Sequence, residues 1–471
     1  MSHRASILGR GYDDRHEDSP RVRFRRALTL CLLTVVLPGS AQLMVGNKWV
    51  GRVALTVWVL IVGGAGYLLY QAKVDRRQVL DLFTNTDNLL IARAAIITIA
   101  ALWVLLFIDA WRLGSPFRLN FVRAAIITVL NLAIIASAVG STAYASQLIR
   151  VSRDTVTHVF TAKKTSAPLK GRFNILLVGS DARKDRTGVR PDSLTVASID
   201  ADTGKVVLVS LPRNLQNVPF SKGSPMLQVY PYGYNCGPTC LLNAVHTAAQ
   251  NRTDLYPNSA DPGLDATIDA VQGVTNLKIN YYVMVNLNGF KGLVDAVGGV
   301  RVNVKTPIAM FGHEDAYKNT YIQPGKNKKL DGQQALWFAR SRVQSDDYVR
   351  MGRQKCLMSA MLAQLSPQKV LLNATKIAKS GKELLSTNIP AKELGQFADL
   401  ALKSRGEKIA TVSLVPPQVD TVHPNFPVIQ QMIQKAIDKS EKLDSSAGTA
   451  KKKKDPSDSS ANTTDDLSAA C

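Results

Sequence analysis

FNILLVGSDARKDRTGVRPDSLTVASID, residues 173–200, decides the fold of this chain and most of its chemistry. Ile175 to Val178 is a short apolar run ending at Gly179, and Ser193 to Ile199 is a second, so both read as strands, the first of them buried. Beside them stand two carboxylates, Asp181 and Asp192, and two guanidiniums, Arg183 and Arg190. Such a group suits a doubly charged phosphate held together with a hard metal ion.

Working outward, Val206 to Leu211 reads as a third strand, joined to the second by the hairpin-type turn Asp200-Ala-Asp-Thr-Gly-Lys205. Arg213 follows that strand. Asn235-Cys-Gly-Pro-Thr-Cys240 then runs into a helix over Leu241 to Ala249, and Cys236 and Cys240 are close enough to pair in an oxidising compartment. Helices over 265–271, 287–297, 331–339 and 348–365 alternate with strands over 281–285, 300–304 and 410–415, which predicts an α/β or mixed α+β layered fold. His313-Glu314-Asp315 lacks the helical His pair of a zinc protease and reads as a polar loop. No Walker loop and no GxSxG elbow occurs, which removes those two routes to phosphate or acyl chemistry.

Toward the N-terminus the composition changes. Residues 1–26 read as a polar, basic tail on the cytoplasmic side, ending in Arg21, Arg23, Arg25 and Arg26. Residues 27–150 read as a membrane region with apolar segments at 27–45, 53–70, 89–111 and 124–149. Arginines and lysines flank the first segment on both sides, and Pro38 and Gly39 interrupt it, so it is expected to enter and return, leaving three crossings. The basic group Arg112, Arg118 and Arg123 marks a further cytoplasmic loop, whereas the 71–88 loop is balanced in charge. Everything after Ile149 is then expected outside, as a polar linker over 151–172, a domain over 173–438 and a low-complexity tail over 439–471. The formal charge of +22, from 58 Lys+Arg against 36 Asp+Glu in 471 residues, calls for anionic partners without choosing among nucleic acid, anionic lipid and phosphorylated substrate.

A second basic group, ARSRVQSDDYVRMGRQ over residues 339–354, supplies Arg340, Arg342, Arg350 and Gln354 together with Asp347. Arg340 and Arg342 would share one side of an extended segment, and Arg350 and Gln354 one face of a helix. Guanidiniums gathered in one place repel one another unless an anion joins them, and their planar forks fit phosphate oxygens.

Taken in order, NILLVGSDAR, RPDSLTVASID, VVLVSLPR, INYYVMVNLNGFKGLVDAVGGVRVNV, LDGQQALWFARSR and DDYVRMGRQ resemble the LytR-CpsA-Psr family of membrane-anchored cell-wall enzymes, from Asn174 to about Ile437. The resemblance implies an extracytoplasmic α/β/α sandwich with a mixed central sheet, on a multi-pass membrane anchor. It implies a phosphotransferase that moves a glycan, as glycosyl phosphate, from a polyprenyl-pyrophosphate carrier to a peptidoglycan hydroxyl. By position, Asp181 and Asp192 look like the ligands of Mg²⁺, for which Mn²⁺ could substitute. Arg190, Arg213, Arg340, Arg342 and Arg350 look like the pyrophosphate clamp, with Gln354 beside them and Asp347 as a further acid of the site. Asn214 stands where the family usually has an acid. Two other readings stay open on the residues: hydrolysis of the same pyrophosphate, and a non-enzymatic membrane attenuator of transcription. The second needs a cytoplasmic domain with aromatics interleaved among its basic groups, and these are sparse, so no nucleic-acid partner is expected.

Overall fold

The structure, a computed structural model, describes residues 20–160, 162, 164–181, 191–310, 321–343, 345–364, 385–405, 407–442 and 463–464. The chain divides into two compact units, residues 1–75 with 89–150, and residues 76–88 with 151–471.

In the first unit, α1 (Pro20–Val36) and α2 (Ser40–Val45) are separated at Pro38 and Gly39, the latter at φ +93°. Helix α1 begins inside the stretch expected to be tail, with Pro20 at its first turn, where a missing N–H costs nothing. Helix α3 (Lys48–Val74) is capped by the Asn47 side chain, which accepts from the Trp49 N–H. It is followed, within the second unit, by α4 (Arg76–Thr84), and then by α5 (Thr86–Leu113) and α6 (Phe121–Val159). Three helical stretches, Lys48–Val74, Thr86–Arg118 and Phe121–Asp154, are long and apolar enough to cross a membrane. Helix α6 continues to Val159, into residues expected to be linker, because no Gly or Pro interrupts it there.

The second unit is built on a mixed sheet. Strands β1 (Arg172–Ser180), β2 (Pro191–Asp200), β3 (Val206–Leu211) and β4 (Tyr281–Asn286) form its centre. Helices α7 (Val245–Ala249) and α8 (Pro262–Thr275) lie between β3 and β4 in sequence, and α9 (Leu287–Ala296) follows β4. The short strands β5 (Val300–Val304), β6 (Ile308–Ala309), β7 (Tyr321–Ile322) and β8 (Gly325–Leu330) form two small sheets ahead of α10 (Gly332–Arg340) and α11 (Asp347–Gln364). Then come β9 (Leu385–Thr387), α12 (Leu394–Ser404), β10 (Ala410–Ser413), α13 (Phe426–Lys442) and β11 (Thr463–Thr464). The main sheet runs β11-β10-β3-β2-β1-β4-β9.

Alternation along β1 distributes its side chains to two cores. Leu176 and Val178 join Val196, Val209 and the α8 and α13 residues Val271 and Ile433 on one face. On the other face, Phe173 and Ile175 meet Leu400 and Phe397 of α12, and Leu208 meets Met358 of α11. The domain is therefore a helix–sheet–helix sandwich, the layered fold that the patterning predicts and the α/β/α form that the family resemblance implies. Two pieces of the expected low-complexity tail take regular structure: α13 runs to Lys442, and Thr463–Thr464 pairs antiparallel with β10.

Candidate active site

Strand direction brings the distant motifs together. Strand β1 runs parallel to β4 and antiparallel to β2, β2 runs antiparallel to β3, and β3 runs parallel to β10, so the carboxyl ends of β1, β3, β4 and β10 share one edge. Ligands of open α/β sheets sit at that edge. Asp181 follows β1 there and is buried; Arg213 follows β3; Asn286 closes β4 and caps α9 by accepting from the Gly289 N–H at 2.8 Å. Because β2 is antiparallel, its first residues reach the same edge. Ser180 pairs with Pro191 across a bulge, which sets Asp181 and Asp192 at neighbouring strand ends.

Four of the predicted residues form a closed ring. The Asp192 carboxylate accepts from Arg213 Nη1 at 3.1 Å, and Arg213 Nε donates to Asp347 Oδ1 at 3.3 Å. Asp347 Oδ2 in turn accepts from Arg350 Nη2 at 2.9 Å, while Arg350 Nη1 donates to the Asp192 carbonyl at 2.9 Å. Asp347 and Arg350 are three apart on the first turn of α11, the spacing at which helix side chains meet, and a carboxylate there also favours the helix dipole. Arg350 is 3 % exposed, and its Nε–H has no acceptor among the described residues. A buried cationic donor without a partner carries a desolvation cost that an anionic oxygen would offset.

Arg350 borders a cavity of about 220 Å³ that also reaches Asp192, Arg340 and Gln354. Past these polar groups its wall becomes apolar, with Phe290 from α9, Leu336 from α10, and Leu357, Met358 and Met361 from α11. The Gln354 amide donates to the Ala339 carbonyl at 3.2 Å, and the Arg340 guanidinium lies 5.7 Å from the Trp337 ring centroid. A larger cavity of about 470 Å³ in the first unit is lined mainly by apolar residues, and its Asp109 and Arg112 pair with each other at 2.8 Å, which makes it a poor phosphate site.

Not every predicted residue joins the site. Arg342 is exposed and does not line the 220 Å³ cavity. Arg183, Arg190 and the 313–315 segment lie outside the described residues. Cys236 and Cys240 are disulfide-bonded, and Cys356 of α11 is also in a disulfide. Among the described residues no three His, Cys, Asp or Glu side chains converge as metal ligands. Two carboxylates at adjacent strand ends, completed by substrate oxygens, nevertheless form a donor set that magnesium accepts.

Two residues escaped the sequence reading. Arg353 pins the turn after Arg340, donating to the Ser341 carbonyl and to Ser345 Oγ, and burial together with the Arg350 charge pulls its pKa below the usual arginine value. Its signal was its place three residues after Arg350, on nearly the same helix face. Lys355 is buried beside a small void that it shares with Asp192 and Arg350, and burial lowers its pKa to about 8. Nothing in its spacing announced that.

A family model described as the LytR_cpsA_psr family matches residues 141–445. The chain is 28 % identical, over 249 residues, to the Bacillus subtilis (strain 168) protein named polyisoprenyl-teichoic acid–peptidoglycan teichoic acid transferase TagV, covering 52 % of this chain and 57 % of that one. It is 30 % identical, over 191 residues, to the like-named TagU of Bacillus anthracis (strain CDC 684 / NRRL 3495), covering 40 % and 51 %. The chain thus spans about half the length of the curated relatives it matches. Among solved structures, that of B. subtilis TagV aligns with a TM-score of 0.41 at 25 % identity, over 57 % of this chain and 98 % of that one. With the family model spanning well over half of its residues, the chain belongs to the LytR_cpsA_psr family.

Proposed function

We propose that this protein transfers a glycopolymer, as its glycosyl phosphate, from a polyprenyl-pyrophosphate carrier to a peptidoglycan hydroxyl on the outer side of the membrane. The observation that carries this reading is the cavity, polar at Asp192, Arg340, Arg350 and Gln354 and apolar beyond them, which matches an amphiphile with a charged head and a hydrocarbon tail. The names of the TagV and TagU relatives fit the same chemistry.

Arg350 and Arg340 bind the pyrophosphate oxygens, with Arg350 Nε gaining an acceptor that it lacks among the described residues. Asp181 and Asp192 would hold Mg²⁺, and that ion would supply positive charge to offset the pyrophosphate. Arg213 steadies the Asp192 carboxylate. The acceptor hydroxyl attacks the phosphorus on the glycan side; the bond from that phosphorus to the bridging oxygen breaks, prenyl phosphate leaves with the oxygen, and the hydroxyl proton passes to a base. Asp347, with both oxygens engaged by arginines, ties the clamp together and is not that base. The positive charges on the cavity rim oppose the charge growing on the departing phosphate.

Placement outside has its own support. Arg112, Arg118 and Arg123 lie in and beside the connection between α5 and α6, which the positive-inside rule makes cytoplasmic, and α6 then leads outward to the residues of the domain.

The test is to reconstitute the full chain in liposomes with a defined polyprenyl-pyrophosphoryl glycan, peptidoglycan and Mg²⁺. A phosphodiester between glycan and peptidoglycan, identified by mass spectrometry, is the expected product. Release of free glycosyl phosphate without linkage would show hydrolysis and overturn transfer.

A further inference from the structure

Helix α4 is nine residues long and is joined to α3 and α5 by single residues, Asp75 and Asn85. Such a connection would serve as a plain loop between two spans, yet α4 packs within the second unit against α12. Gly395, in the first turn of α12, lies at a close approach between the two helices. A Cβ there would lie 2.9 Å from the Asp81 backbone nitrogen and would overlap the Asp81 carboxylate. Glycine lowers helix stability, so its use at a helical position with a backbone this near is explained by the approach itself. Two polar contacts accompany it. Arg77 Nη2 donates to Gln396 Oε1 at 3.1 Å, and the Asp81 carboxylate sits at the N-terminal turn of α12, whose own N-cap, Glu393, makes no side-chain cap. A negative group is favoured there by the helix dipole. From α12 the contact reaches the sheet, because Phe397 packs edge-on against Phe173 of β1 and Tyr281 of β4, at ring-centroid distances of 5.2 and 5.6 Å.

We propose that α4 is a dock on which the catalytic domain is seated through α12, giving the domain a second tether to the spans besides α6 and orienting its site toward donors embedded in the bilayer. The dock rests on connectivity and on the Gly395 contact; its effect on donor choice rests on the function proposed above. A domain joined to the spans through α6 alone has one covalent connection to them, whereas one seated on α4 is also connected through Asp75 and Asn85. The benefit falls on a membrane-borne donor, whose pyrophosphate is confined to the surface, and not on a donor free in solution.

Two experiments on the full chain separate these parts. In the first, Arg77→Cys and Gln396→Cys are combined, at the pair whose side chains meet across the contact and away from Gly395, and a protease site is inserted after the exposed Lys164. Bridging of the two cysteines by a short bis-maleimide, which keeps the fragments together after cleavage, is the expected result; absence of the cross-link overturns the dock. In the second, Gly395→Leu is reconstituted in liposomes. Leucine is a better helix former than glycine, so α12 itself is not weakened, and only the fit to Asp81 is lost. Transfer from a long-chain, membrane-borne donor should fall about tenfold or more, the consequence of overpacking a tight contact, while transfer from a water-soluble, short-chain donor is unchanged. Equal loss with both donors, or with neither, overturns the orienting role. If the wild-type protein transfers from neither donor, the proposed function fails, and the cross-link alone decides the dock.

Discussion

Asp347 and Arg340 stand a few residues apart and are expected to fail differently when replaced. Asp347 satisfies Arg213 and Arg350 at once, and its removal leaves Arg213 with Asp192 alone and the nearly fully buried Arg350 without a carboxylate. Asp347→Ala should therefore cost roughly 3 kcal/mol of stability as well as activity, measured by denaturant unfolding beside the transfer assay. Arg340 is half-buried on the cavity rim, so Arg340→Ala should lower transfer by about a hundredfold, the effect of losing one donor to the transition state, with little change in Tm. An unchanged rate would remove Arg340 from the clamp. Lys355 makes a third case. Its pKa falls from 10.5 to about 8 through burial, so between those values the unfolded chain binds more protons than the folded one, and stability rises as pH climbs from about 8 to 10.5. Lys355→Met should raise Tm at pH 7 and flatten that rise; thermal unfolding across the range reads both, and a variant as pH-dependent as the parent would show that the ammonium is not strained.

At the scale of elements, α10 delivers Arg340 to the rim from its last turn, and its start is fixed by a capping box. Asp331 accepts from the Gln334 N–H at 2.8 Å, and the Gln334 side chain accepts from the Asp331 N–H at 3.2 Å. Asp331→Ala should destabilise the domain by about 1 kcal/mol, visible as a lower denaturant midpoint at unchanged m. The sequence made this helix legible through LDGQQALWF, where an N-cap acid precedes a helical run. It made α11 legible too, through the spacing of Arg350 and Gln354. The extent of α6 beyond Ile149 was not legible, since a polar continuation carries no apolar signal, and neither was β11, two threonines whose pairing with β10 depends on a distant edge.

For the molecule as a whole, the arrangement of spans decides whether the site meets its donor. On the proposed placement of the domain outside and the α5–α6 loop inside, Lys164→Cys should react with a membrane-impermeant maleimide in intact cells, while Arg118→Cys should react only after permeabilisation. The reverse pattern would put the domain in the cytoplasm and remove its lipid-linked donor. The Cys236–Cys240 disulfide agrees with an oxidising compartment.

By itself the sequence determined the strands around Asp181 and Asp192, the helices carrying Arg340 and Arg350, the apolar N-terminal segments and the family, because each is written in local periodicity, capping and motif order. Only the tertiary structure decided which charges meet. Asp192 and Arg350 are 158 residues apart, and their contact follows from strand direction and the packing of α11 on the sheet. It also put Arg342 on the surface, made Asp347 a tie between two arginines, buried Lys355, and seated α4 on α12. Pairing across a sheet and burial against a neighbour are properties of the folded ensemble of contacts, and no local pattern of residues encodes them.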